Sequence, residues 1–218
     1  MRLFVSLVLV LALIQTRADP SPSPGHGSEP TSEECGRLNP AMSLKDKTPI
    51  LGQFHYIQGF SDSLFYKFFL NMTSSFWFNL TETSSSFHMQ QFVRWNGTCA
   101  VLEANATIEG NTAKVHLHNM TSWVQIFQVS LDSFVVRART RAQNIHEFLK
   151  ALRMDSTGFR PDLDSVSLYL ASRRPDVSDR DLQLFRVHAH CEGFKGEPDY
   201  IHKNHEFCSE SESVPMKI

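Results

Sequence analysis

The chain lacks any apolar run approaching the ~18 to 20 residues that a spanning helix needs, which excludes a helical integral membrane protein. It has only four cysteines and no Cys-x-x-Cys pair, so the common signature of a zinc or dithiol redox site is missing. No segment repeats, and no Ser, His and Asp grouping of the hydrolytic kind is present. Basic charge is scarce too. Without Arg2 and Arg17, 19 basic residues face 23 acidic ones, the wrong balance for a nucleic-acid partner.

What is present begins with Met1-Arg2, the apolar stretch Leu3 to Ile14 and the exit Thr16-Arg17-Ala18. Residues 1–18 therefore read as a signal peptide cleaved after Ala18, and the mature chain as secreted, without membrane insertion. In an oxidising compartment Cys35, Cys99, Cys191 and Cys208 suggest two disulfides, with three pairings open. Residues 19–34, rich in Pro, Ser, Gly and acid, read as a flexible leader, and residues 209–218 as a flexible tail. The folded domain is expected over residues 35–208.

Within it, period-two alternation marks eight strands: Ile50 to Phe60, Ser75 to Glu82, Phe87 to Trp95, Thr98 to Glu109, Thr112 to Asn119, Ser122 to Ser130, Ser133 to Thr140 and Ser165 to Ala171. Asn96-Gly97 and Glu109-Gly110-Asn111 are tight-turn signals between them. The fold class is all-β, an eight-stranded antiparallel up-and-down barrel with room for one small ligand. After the last strand, Ser178 with Asp181 reads as an N-cap, and Leu182, Phe185 and Ala189 recur at helical spacing as a C-terminal amphipathic helix. An extra helix is expected between the last two strands, where Ile145, Phe148, Leu149 and Leu152 follow a cap-like Asn144 with Glu147. Ser61 to Leu70 reads as a short helix with Leu64, Phe65, Phe68 and Phe69 on one side.

Five Asn-x-Ser/Thr sequons, at Asn71, Asn79, Asn96, Asn105 and Asn119, mark glycosylation sites of a secreted protein. A glycosylated asparagine inside a strand has to point outward. Asn79 thus directs Phe76, Phe78 and Leu80 inward, and Asn105 directs Leu102, Ala104, Ala106 and Ile108 inward, leaving Glu103 outside. Arg137, Arg139 and Arg141 share one strand face, read as a solvated outer face in preference to an anion site. His116 and His118 also share a face, but without a third ligand no metal is expected. His188 and His190 are expected at the surface.

The order strand, Arg173-Arg-Pro175, acidic capping turn, amphipathic helix and Cys191, followed by Cys208, resembles the end of a lipocalin. It is most similar to the alpha-1-acid-glycoprotein branch, including fish plasma lipocalins that bind tributyltin or saxitoxin and tetrodotoxin. The resemblance spans Cys35 to Cys208. It implies the pairings Cys35 with Cys191 and Cys99 with Cys208. It also implies that Phe54, in Gly52-Gln-Phe54 where the family usually has Gly-x-Trp, is the floor aromatic, covered by Arg173 in a structural role. Asn71, Asn96 and Asn119 would ring the open end, and residues 143–154 would form a lid there.

The function so implied is a secreted blood-plasma carrier holding a small hydrophobic ligand or xenobiotic of the tributyltin type, and a monomer is expected. The alternatives are a binder of cationic guanidinium toxins and an acute-phase immunomodulatory glycoprotein. Expected contacts are Phe54, Tyr56, Phe76, Phe78, Leu102, Ala104 and Phe134, with Phe65 and Phe148 near the mouth. A nitrogen donor to tin would have to be His55 or His88. No cofactor is expected. With four cysteines paired, no thiol remains for the isomerase chemistry found in one lipocalin, so no enzyme activity is expected.

Overall fold

The computed structural model describes residues 30–83, 86–117, 119–151, 156–202 and 206–216. A short helix α1 (Ser32–Gly36) precedes the strands β1 (Gly52–Ser61), then helix α2 (Leu64–Asn71), β2 (Thr73–Glu82), β3 (Phe87–Trp95), β4 (Thr98–Glu109), β5 (Thr112–Leu117), β6 (Met120–Gln128) and β7 (Ser133–Ala142). Helix α3 (Ile145–Ala151), β8 (Leu163–Ser172), helix α4 (Asp179–Cys191) and the two-residue strands β9 (Tyr200–Ile201) and β10 (Val214–Pro215) complete the order. Strands β1 to β8 pair with their sequence neighbours and β1 pairs with β8, all antiparallel, which closes the barrel and removes its edges.

All eight expected strands form, with ends that coincide or differ by at most two residues. The first starts at Gly52 because Thr48–Ile50 makes a 3-10 turn with Pro49 near its start. The Asn96-Gly97 turn has φ of +46° and +77°, the left-handed pair that a two-residue hairpin needs, and joins Trp95 to its partner Thr98.

The barrel has two outer coverings. On one side α4 lays Phe185 and Ala189 over Ile57, Phe60, Val135, Leu168 and Leu170. Ser178 caps α4 by accepting from the Asp181 N–H, as its sequence implies. On the other side Phe207 and Cys208 pack on Trp77 and Phe92, and the Trp77 indole donates to the Cys208 carbonyl at 2.9 Å. The disulfides are Cys35–Cys191, tying α1 to α4, and Cys99–Cys208, tying the C-terminal segment to β4.

Several expectations change. The leader's last residues are not featureless: Thr31 and Glu34 form a reciprocal capping box that starts α1. The tail likewise holds a Ser209–Glu212 capping box, an Arg94–Glu212 ion pair and β10 alongside β4. In α2 the buried face is Phe65, Phe69 and Leu70, while Leu64 is 76% exposed and Phe68 44% exposed. Asn144 has φ of +52°, outside the extended conformation of an N-cap, and Leu152 lies outside the described residues. His188 is buried against Phe127 instead of lying at the surface, since α4 presses this face onto the barrel.

Candidate functional site

The inner face of the barrel encloses a cavity of about 190 Å³. Its floor is an aromatic group in which Phe54 stacks on Phe78 at 5.5 Å and meets Phe134 edge-on at 5.5 Å. Arg173 lies over Phe54, its guanidinium carbon 4.4 Å from the ring centroid, and donates to the Pro49 carbonyl at 2.9 Å. This seals the closed end by a cation–π contact worth about 0.5–2 kcal/mol. Above the floor, Tyr56 is wedged among Phe76, Phe78 and Tyr169 with centroids 4.3 to 4.9 Å apart.

The mouth is covered by α2 and α3. Phe65 of α2 meets Phe148 of α3 and Phe159 of the following loop, each at 6.0 Å. Ile145, Phe148 and Leu149 are all buried there. The connection leaving β7 is tied across the opening by the Asn119 side-chain amide, which donates to the backbone carbonyls of Gln143 and Asn144.

All nine residues expected in the cup stand on its wall: Phe54, Tyr56, Phe65, Phe76, Phe78, Leu102, Ala104, Phe134 and Phe148. The structure adds others. Val136, Ala138 and Thr140 point inward from β7, and the signal was available, because Arg137, Arg139 and Arg141 alternate with them. Those arginines are on the outer face, Arg137 paired with Glu192 at 2.9 Å and Arg139 and Arg141 sharing Asp164. Tyr66, Gln91 and Tyr169 also line the cavity and carried no comparable signal.

The wall is electrically neutral: among the described lining residues none is Asp, Glu, Lys, Arg or His. Its polar groups are hydroxyls and one amide. Gln91, Tyr56, Tyr66 and Thr140 all stand on this wall, and the Ser122 and Thr140 hydroxyls are hydrogen-bonded 2.8 Å apart. Burial pushes the phenols of Tyr56 and Tyr169 well above the usual tyrosine range, so both stay protonated. Glu103 faces outward and accepts from Gln90 at 3.0 Å.

Neither candidate nitrogen donor enters the cup. His55 is buried on the outer side, 4.3 Å from the Phe207 ring, and His88 faces Asn105. His116 hydrogen-bonds Thr121 outside, and His118 lies outside the described residues. Among the described residues the one cluster with metal-ligand character is Cys99, Cys208 and Glu212, whose two cysteines are spent in a disulfide. Of the sequon asparagines, Asn71, Asn96 and Asn105 are exposed, whereas Asn79 and Asn119 are half-buried. Asn71, Asn96 and Asn119 lie at the mouth end of the barrel, as their connections imply.

No family model and no curated protein matches the sequence. Solved structures do match its shape. Rat epididymal lipocalin 12 superposes with a TM-score of 0.58 at 9% identity, over 81% of this chain and 95% of that one. The siderocalin Ex-FABP, described as functioning through dual ligand specificities, gives 0.53 at 10% identity, over 73% of this chain and 97% of that one. At such identities the likeness is one of fold, and the fold is that of the lipocalins.

Proposed function

We propose that this chain, with its lipocalin barrel, is a secreted carrier of a small, largely apolar molecule held in the cup and is not an enzyme. The observation that carries the reading is the cavity itself: a closed cup, floored and walled by aromatic and aliphatic side chains and covered by two helices. Secretion is supported by the amino-terminal signature, the two disulfides and the sequons. The nine wall residues anticipated from the sequence are the proposed ligand contacts, with Arg173 as the support of the floor.

The neutral wall bears on the ligand. A guanidinium toxin would bury a cation without a carboxylate partner among the described lining residues, at a cost of several kcal/mol. An organotin would find apolar surface but no nitrogen or thiolate donor, since His55 and His88 are outside and the cysteines are paired. Apolar burial is then the main source of affinity. Titration of the disulfide-intact protein with a neutral fluorescent probe, N-phenyl-1-naphthylamine, tests this. Saturable binding displaced by tributyltin and not by tetrodotoxin is expected. Displacement by tetrodotoxin would overturn the neutral-ligand reading, and no saturable binding would favour a glycan-mediated, acute-phase role.

A further inference from the structure

We infer that Tyr66, Thr140 and Ser122 form a neutral recognition station near the mouth, which favours ligands ending in an uncharged hydrogen-bonding group and rejects carboxylate-ended analogues. The inference rests on the carrier reading and assigns the polar end of the ligand.

The three side chains come from three elements. Ser122 lies two residues into β6 and Thr140 two residues from the end of β7, and the two are directly paired across the sheet. Both positions are at the end of the barrel that α2 covers, and Tyr66 of α2 lines the same cavity as both. Ser122 Oγ and Thr140 Oγ1 are 2.8 Å apart, and Thr140 is buried. The floor beyond is hydrocarbon, ending at Phe54, Phe78 and Phe134. A ligand placing its apolar body on that floor brings its other end to this group.

Each hydroxyl has one proton to donate and two lone pairs to accept with. Of the three hydroxyls only Ser122 and Thr140 are bonded to each other, so two donors and several lone pairs stay free for a ligand. An alcohol, ketone or amide can give and take hydrogen bonds there without bringing charge. A carboxylate arriving at the same place would lose its water shell and meet no cation among the described lining residues. It would enter as the neutral acid, the usual response of a carboxyl moved into an apolar site. The titratable groups on the described wall are Tyr56, Tyr66 and Tyr169, and burial raises all three phenols, so the wall stays neutral across the accessible pH range.

The test is displacement of N-phenyl-1-naphthylamine by decane, 1-decanol and decanoate, which differ only at one end. At pH 8, decanol should compete at least about tenfold better than decanoate, and acidification to pH 5 should tighten decanoate while leaving decanol unchanged. Thr140→Val should weaken decanol about three- to tenfold, the loss of one hydrogen bond, without moving decane. Thr140→Ser, which keeps the hydroxyl, should restore it. Equal competition by decanol and decanoate at pH 8 would overturn the station. So would equal weakening of decane by Thr140→Val, which would make the residue merely structural. If the probe itself fails to bind saturably, the carrier reading falls and this inference with it; saturable probe binding with indifference to the end group removes this inference alone.

Discussion

Gly59 offers a sharp test of how the cup is built. It pairs with Tyr169 across β1 and β8, and a methyl group added there would lie 2.7 Å from Cδ1 and 2.9 Å from Cε1 of that ring. Ordinary contact begins near 3.4 Å, so the ring must yield by about 0.7 Å. It has little room, because Tyr56 stands 4.9 Å away and Phe76 6.3 Å away, centroid to centroid. Gly→Ala elsewhere in a strand would gain about 0.5–1 kcal/mol of stability, whereas overpacking of this kind costs about 1–3 kcal/mol. Gly59→Ala should therefore destabilise, lowering Tm by about 2–4 °C per kcal/mol in a chain of this size. It should also weaken probe binding, since the displaced ring moves into the cavity. Thermal melts of Gly59→Ala with Tyr169 intact and with Tyr169→Leu form the cycle. The loss should shrink by at least half once the ring is gone. An equal loss in both backgrounds, or none with Tyr169 present, would refute the assignment of Gly59 as the space reserved for that ring.

Three further outcomes are expected. His188 is buried without a hydrogen-bond partner for either ring nitrogen, and burial holds its pKa below the usual 6.5. The unfolded chain then takes up a proton that the folded one refuses, so stability should fall as pH drops below about 6.5, and His188→Phe should flatten that decline in melts run from pH 7 to 5; identical slopes would refute it. Cys99→Ser with Cys208→Ser opens a bridge between residues 109 apart in sequence, and denaturant unfolding should show a loss of up to about 4–5 kcal/mol, with an unchanged midpoint counting against any role in stability. Phe148→Ala removes a buried ring from the mouth cover and should cost about 3–5 kcal/mol at most while speeding probe release in stopped flow; an unchanged release rate would count against α3 as a lid.

Residues whose neighbours in sequence fix their direction were readable from the chain alone. The outward sequon Asn79 set Phe76 and Phe78 inward, and the same reasoning from Asn105 placed Leu102 and Ala104 on the cavity wall. Turn chemistry at Asn96-Gly97 fixed a hairpin, and Ser178 fixed the start of α4. The roles of α2 and α3 were legible only in part, since helical spacing shows that an apolar face exists but not how far round it extends. Leu64 and Phe68 fit that spacing and still face solvent.

Alternation by itself determined that β8 has an apolar face made by Leu168 and Leu170, and local chemistry determined the eight strands, the turns and the capping of α4. Only the tertiary structure decided that this apolar face of β8 lies outside, under Phe185 of α4, leaving Ser167, Tyr169 and Ala171 to line the cup. It also decided the bulge between Tyr56 and Gln58, which returns Gly59 to the inner face beside Tyr169. The physical reason is that period two distinguishes two faces without saying which is inside. When a helix covers the barrel, both faces are buried, and hydrophobicity no longer tells them apart.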